Sequence, residues 1–298
     1  MKYFALLLAI SFSTTLIGQN PYFVQFQSNA SFYNPASVGT QSRFSALLSH
    51  RNQWPESGNQ VIRTTSAVSQ FQIKQKSGLG ILYLNDHLGN FGGTNSLKIQ
   101  VSRIMKISNE AFSIGLEMGY NDQYSNPQGE FEDVRSPGVP DFASSYSFVG
   151  GIGAQYQSER IKGGVALRNV KVLEKGITFA KPDLTVNLGY TREIKEKLNI
   201  GIGGLAAYDL ARFEIILAAA AKYKWLSINL AYRIESGPTG GLGVEVKKIQ
   251  FRYSFDYYTQ IPSNLLTSNP DRFKTAHELS LSYRITNETA KTFATPVF

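Results

Sequence analysis

The sequence predicts an all-β chain, a transmembrane antiparallel β-barrel of about fourteen strands with short periplasmic turns and longer extracellular loops. Three observations predict it. Beyond residue 42 the chain alternates apolar and polar residues with a period of two. The polar side of that alternation is rich in Ser, Gly, Asn and Gln with scattered charges. The connections are mostly short after even-numbered segments and mostly long after odd-numbered ones.

Composition agrees. Charged residues make up 17% of the 298, against roughly a quarter in ordinary soluble domains, while aromatics reach 12%. That apolar content is too high for a disordered chain. The absence of cysteine excludes a disulfide scaffold and a Cys-ligated metal or cluster. The net charge of +8 raises nucleic acid as a partner until the charges are placed.

Residues 1–18 read as a secretory signal: Lys2 is the charged start, residues 3–10 are apolar, residues 11–18 turn small and polar, and cleavage falls after Gly18. The apolar run is well short of the ~20 residues a membrane helix needs. The longest later apolar run, 215–221, has seven residues. Residues 19–42 do not alternate. They carry a Tyr33-Asn34-Pro35-Ala36 turn and Gly39, and read as a periplasmic or plug segment. Residues 43–285 are the barrel and 286–298 a tail.

The alternation is plain strand by strand. Phe112, Ile114, Leu116, Met118 and Tyr120 oppose Ser113, Gly115, Glu117, Gly119 and Asn121. Ile249, Phe251, Tyr253, Phe255 and Tyr257 oppose Gln250, Arg252, Ser254 and Asp256. Each set lies on its own side of a pleated sheet. Fourteen such segments begin near Arg43, Arg63, Gly78, Ser96, Ala111, Tyr146, Ile161, Asp183, Leu198, Arg212, Trp225, Gly240, Ile249 and Ala276, most of them eight to twelve residues long. That matches the roughly 9–11 residues of a tilted membrane strand.

The connections decide between a barrel and a soluble sandwich. The short ones fall at 74–77, 108–110, 158–160, 195–197, 224 and 247–248. The long ones fall at 51–60, 125–145, 171–182 and 259–275, with 210–211 as the exception. A sandwich has no reason to sort its loops this way, and an outer-membrane barrel does. The short-turn rim collects Lys74, Lys76, Lys106, Arg160, Lys162, Lys195, Lys197, Lys222, Lys224, Lys247 and Lys248. A basic rim faces anionic headgroups of outer-membrane lipid or an acidic periplasmic partner. With the excess charge spread over a rim and no helix to enter a groove, nucleic acid is dropped.

Chemistry finds little footing. His50, His87 and His277 have no ligand spacing among them, so no metal is expected. The one candidate for a hydrolytic set, His277 beside Glu278 with a nearby Ser, fails because adjacent strand residues point to opposite faces. No catalytic residue and no cofactor is expected. The glycine clusters at 78–80, 150–153, 201–204 and 240–243 sit inside strands rather than before helices, so they relieve crowding rather than bind phosphate. The charges of the polar face, Glu117, Arg168, Glu214, Glu245, Arg252, Asp256, Glu278 and Arg284, are expected to point mostly into the lumen. Both signs are present, so a filled lumen with paired charges and an open charged channel are both compatible with them.

Several motifs resemble the PorP/SprF family of Bacteroidetes outer-membrane proteins. They are Asn34, Pro35, Ala36 and Gly39; Arg51, Gln53 and Trp54; Gly78, Gly80, Asp86 and Gly89; and Tyr253, Ser254, Phe255 and Asp256 followed by His277, Glu278, Leu279, Ser280 and Leu281. The resemblance spans nearly the whole mature chain. Asn20 replaces the family's usual acidic residue before Pro21, and Phe255 stands where the family often has Tyr. The resemblance implies a non-enzymatic component of the type IX secretion system and, in gliding species, of the motility apparatus, supporting export or surface attachment of adhesins. Its implied partners are periplasmic ring lipoproteins, the translocon, and a secreted adhesin or its C-terminal domain. The alternative from the residues alone is a porin or transporter for small solutes.

Overall fold

The computed structural model describes residues 23–26, 28–125, 143–175, 181–209, 213–234, 236–259 and 274–286. Its strands are β1 (Phe44–Gln53), β2 (Ile62–Ile73), β3 (Ser77–Leu88), β4 (Gly92–Ile107), β5 (Glu110–Ser125), β6 (Ala143–Gln157) and β7 (Ile161–Lys175). They continue as β8 (Asp183–Lys195), β9 (Leu198–Tyr208), β10 (Phe213–Tyr223), β11 (Leu226–Arg233), β12 (Gly237–Val246), β13 (Ile249–Tyr257) and β14 (Thr275–Ile285). Each pairs antiparallel with its sequence neighbours. β1 also pairs with β14, from Phe44 opposite Ile285 to Gln53 opposite Ala276, and closes a fourteen-strand barrel. Closure leaves no free edge of unpaired backbone groups, which hydrocarbon demands.

Polarity is inverted relative to a soluble protein. Leu97, Ile99, Val101, Leu116, Met118, Leu188, Ile202, Leu217 and Leu230 are exposed on the outside, while Ser96, Lys98, Gln100, Ser113, Glu117 and Thr185 between them are buried inside. The period-two pattern therefore aims apolar side chains at lipid and polar ones at the lumen.

The strand starts lie close to those the sequence predicts. Lengths differ in the middle of the chain: β4 to β7 run 15 or 16 residues and β8 runs 13, rather than eight to twelve. The extra residues sit at the loop-bearing end, for example Asn121 to Tyr124 of β5 and Lys171 to Lys175 of β7. There the alternation breaks while the pairing continues: Asn121 to Gln123 of β5 are polar on both faces, and in β7 the neighbours Val172 and Leu173 are both exposed. The loop sorting is also less complete than the sequence suggests. Besides 209–212, the β3–β4 and β11–β12 connections are three residues long.

On the short-turn rim, Lys74, Gln75, Ser108, Lys197, Lys224 and Lys247 all adopt positive φ, a left-handed conformation costly for a side-chain-bearing residue. Between β6 and β7 the register shifts twice. A bulge with Asn169 at φ 55° turns Arg168 and Asn169 inward in succession, where regular pleating would point one of them out. The expected signal at 1–18, residues 19–22, most of the 125–145 and 259–275 loops, residues 176–180 and 210–212, and nearly all of the 286–298 tail lie outside the described residues.

Candidate functional site

The site begins with the segment that precedes β1. Its described residues run through the barrel interior as one helical turn, α1 (Ala30–Tyr33), then a 3-10 turn over Pro35–Ser37. Asn34 caps the second turn, its Oδ1 accepting from the Ala36 N–H at 2.9 Å, and Pro35 supplies a preset φ at the first position. Phe23, Val24, Phe26, Phe32 and Tyr33 are buried against Val68, Leu82 and Leu84 of β2 and β3, and against Leu205, Ala207, Ile216 and Ala231 of β9 to β11. The Phe32 ring meets Phe23 at 5.1 Å and Tyr33 at 5.0 Å, both edge-on. At roughly 1.5–3 kcal/mol for each large apolar side chain removed from water, these anchors give the segment a reason to stay inside an otherwise polar lumen. It is a plug.

The Ser and Gln residues of the polar face serve the plug's backbone. A single helical turn leaves its carbonyls unpaired. Here those of Ser31, Phe32 and Tyr33 accept from Gln100 Nε2 (2.8 Å), the Arg168 guanidinium and Thr185 Oγ1 (2.8 Å) respectively. Further along, the Ala36 carbonyl accepts from Ser113 Oγ at 2.7 Å, Val38 from Ser102 Oγ at 2.7 Å and Gly39 from Gln72 Nε2 at 2.8 Å. Asn34 Nδ2 donates to the Ala154 carbonyl at 3.0 Å.

The inward glycines are the plug's seat. A Cβ on Gly115 would stand 2.5 Å from the Pro35 carbonyl oxygen, and one on Gly164 2.5 Å from Asn34 Nδ2; one on Gly153 would meet Asn34 Oδ1. Gly39 has φ +70°, and its own Cβ would lie 2.8 Å from the Cα of Gly78. The Asn34-Pro35-Ala36…Gly39 motif and the Gly78…Gly80 motif are thus two sides of one close contact.

Two charge clusters hold the plug. Near the loop-bearing end, both Glu278 oxygens accept from consecutive plug N–H groups, Val24 at 2.8 Å and Gln25 at 3.2 Å. Arg51 pairs with Glu278 at 3.4 Å and with Asp256, and donates to Tyr258 at 2.8 Å. Arg233 joins Glu214 (3.0 Å) to Asp256 (3.5 Å). Gln25 bridges Ser254 at 3.0 Å and Ser280 at 2.7 Å. At mid-barrel, Glu117 receives Arg168 at 3.0 Å, Lys98 at 3.3 Å and Gln100 at 3.0 Å, and Arg168 also covers the Phe32 ring at 5.5 Å. The plug therefore runs from the loop-bearing end at residues 23–25 to the short-turn end at residues 38–42, where β1 begins.

Most of the residues singled out in the sequence meet here. Asn34, Pro35, Ala36, Gly39, Gly78, Gly80, Arg51, Ser254, Asp256, Glu278, Glu117, Arg168 and Glu214 belong to the plug or touch it or its clusters. Asp86 is buried higher on the wall, accepting from Thr64 at 2.6 Å. Gly89 has φ 58° and opens the β3–β4 turn. Trp54 is left-handed at φ 59° and packs its ring 6.1 Å from Tyr258, while Gln53 ends β1. Tyr253 and His277 face outward, with the Tyr253 hydroxyl 2.7 Å from His277 Nδ1, on the opposite side of the wall from Glu278. Glu245 pairs with Lys222 at the short-turn end, where Arg252 and Arg284 also lie. Sequence reasoning did not put Lys98, Asp183 or Arg233 among the lumen charges, although alternation places Lys98 on the face of Ser96 and Gln100. Lys162 and Lys222, expected on the rim, turn inward.

Residues 16–283 match the family described as type IX secretion system membrane protein PorP/SprF. No curated protein matches the chain. Among solved structures, the chain is similar to the outer membrane protein Omp33 of Acinetobacter baumannii, at 9% identity and a TM-score of 0.50, covering 83% of this chain and 100% of that one. It is also similar to a FadL homologue of Pseudomonas aeruginosa, at 11% identity and a TM-score of 0.51, covering 86% and 94%. At such identities the likeness is one of fold, that of an outer-membrane barrel.

Proposed function

This chain belongs to the PorP/SprF family of type IX secretion system membrane proteins, and from that premise we propose that it is a plugged, non-enzymatic adaptor in the outer membrane. Its extracellular loops hold a secreted protein, such as an adhesin through its C-terminal domain, and its periplasmic side holds ring lipoproteins and the translocon. Export follows the 1–18 signal, removed after Gly18. The observation that carries the reading is the plug: the lumen is occupied by residues of the same chain, held by buried ion pairs and hydrogen bonds. Such a filling is at odds with an open diffusion pore and in keeping with an adaptor that keeps the membrane sealed.

The test is affinity purification of the tagged native protein in mild detergent, with mass spectrometry of what stays bound, beside single-channel recording of the pure barrel. Secretion-ring lipoproteins or a large surface adhesin in the eluate, with silent bilayers, support the adaptor. A partnerless barrel with steady open currents makes it a porin.

A further inference from the structure

The lumenal charges are not evenly balanced along the barrel. Around the plug every arginine named above has a carboxylate within an ion-pair distance. Toward the short-turn end the balance fails. Arg252 of β13, Arg284 of β14 and Lys162 of β7 all point inward, and among the described residues none of the three side chains has a hydrogen bond or an ion pair within 4 Å. Arg252 is only 7% exposed. The like-charge field of Arg284 falls on both Lys162 and Arg252. One carboxylate, Glu245, acts on both Arg252 and Arg284, and it is also paired with Lys222, so one negative charge serves several cations. Like charges gathered in one part of the lumen repel, and an anion entering there relieves the repulsion.

The plug reaches the Lys162 side of this region and leaves the wall that carries Arg252 and Arg284. The contacts of residues 34–42 are with β2 to β7: Gln70, Gln72, Ser102, Ser113, Ala154 and Gln155. The opposite wall is left to small residues such as Gly241 and Gly243, the latter lying under the Arg252 side chain. Lys162 also lines a pocket of about 30 Å³ beneath Phe26, Ala30 and Tyr33 of the plug.

We propose that the short-turn half of the lumen is a vestibule for an acidic peptide segment of a periplasmic partner, whose carboxylates pair with Lys162, Arg252 and Arg284. The proposal rests on the adaptor reading for the existence of such a partner. Lipid headgroups are the wrong source of anions, because the three cations face away from the bilayer. A single small anion is also a poor fit: it brings too little charge for three cations, whereas several carboxylates on one chain can match them. The basic rim continues the same field outward and steers such a segment in.

The test uses the full-length barrel in nanodiscs and a fluorescein-labelled octaglutamate peptide, read by fluorescence anisotropy. Saturable binding that weakens with salt is expected. The Lys162→Gln/Arg252→Gln/Arg284→Gln variant is expected to bind at least tenfold more weakly. Lys247→Gln/Lys248→Gln on the outer rim should cost less than twofold, and Arg252→Lys/Arg284→Lys should keep binding within a few-fold. Loss of like-charge repulsion leaves the triple variant at least as stable as the parent, and heat-modifiable gel migration verifies its fold. Absence of saturable binding to the parent overturns the proposal. So does an equal loss in the rim variant, or displacement by inorganic phosphate at concentrations where the peptide itself saturates, which makes the site one for small anions. None of these outcomes touches the pull-down that tests the adaptor reading, so the two fail separately.

Discussion

Replacing Gly115 by alanine is expected to unseat the plug while sparing the barrel. The added Cβ would stand 2.5 Å from the Pro35 carbonyl oxygen and closer still to Pro35 C and Ala36 N, all of them backbone atoms that no rotamer change can move aside. Ordinary contact begins near 3.4 Å, so the plug backbone must retreat by about 1 Å. The bonds from Ser113 to Ala36 (2.7 Å), Ser102 to Val38 (2.7 Å) and Asn34 to Ala154 (3.0 Å) then stretch beyond useful range. At about 1 kcal/mol each, the seated state loses about 3 kcal/mol, roughly a hundredfold in the seated-to-unseated ratio. The strand itself gains, since alanine in a regular strand is favoured over glycine by roughly 0.5–1 kcal/mol. The chain has no cysteine, so Ser37→Cys, at a buried position, supplies a single reporter thiol. Maleimide labelling should be slow in the reporter alone and up to about a hundredfold faster with Gly115→Ala. Gly240→Ala, whose Cβ would meet only Leu230 at 3.9 Å, should change nothing. Unchanged labelling in the Gly115 variant would refute the reasoning.

Three further outcomes follow from the same geometry. Glu278→Ala removes the acceptor of two plug N–H groups and strands part of Arg51's charge, so it should cost about 3–5 kcal/mol in urea unfolding of the folded barrel. An unmoved midpoint would contradict the assigned pairs. A Cβ on Gly80 lies 3.1 Å from Val38 Cγ1, so Val38→Cys/Gly80→Cys should oxidise readily and, combined with Gly115→Ala, restore protection of a plug reporter; a pair that stays reduced would show that Val38 sits elsewhere. Lys247→Gly relieves a left-handed φ of 57° in a two-residue turn and should raise stability by up to about 1 kcal/mol. A drop in the unfolding midpoint would count against the left-handed turn.

The barrel was legible because hydrocarbon and lumen impose opposite demands on successive residues. Phe112 to Tyr120 and Ile249 to Tyr257 state those demands without interruption. The plug's seat was harder to read. Residues 19–42 have no period of their own, and what holds them is distributed over distant strands: Gln100, Thr185, Ser113 and Glu278 look like any lumen-facing polar residue until the segment is placed against them. One signal was available. Leu82 and Leu84 of β3, and Ile216 within the 215–221 run, put apolar side chains on the polar face, and a strand apolar on both faces is one covered on both faces. Those are the wall residues against which Phe23, Phe26 and Phe32 pack. Alternation already puts Lys98 on the lumen face beside Ser96 and Gln100; its partner Glu117 was not legible, because strand alternation fixes a side, not a partner.

The plug also explains the pattern of charge. In a water-filled channel, lumenal ions are solvated and need no fixed partner. Where residues 23–36 displace that water, an unpaired ion costs several kcal/mol. The pairs Arg51–Glu278, Arg233–Glu214, Arg168–Glu117 and Lys98–Glu117 all lie at plug level. Arg252, Arg284 and Lys162 lie toward the short-turn mouth, where Glu245, already paired with Lys222, is among the described residues the one wall carboxylate that acts on the two arginines. Charge balance thus tracks the filling rather than the barrel. If the plug were a passive stopper, the lower cations would be the ones easiest to lose, because neutralising them relieves repulsion without breaking a bond. Three like charges gathered there cost stability at the short-turn mouth, the cost expected of a surface whose countercharge arrives on another molecule.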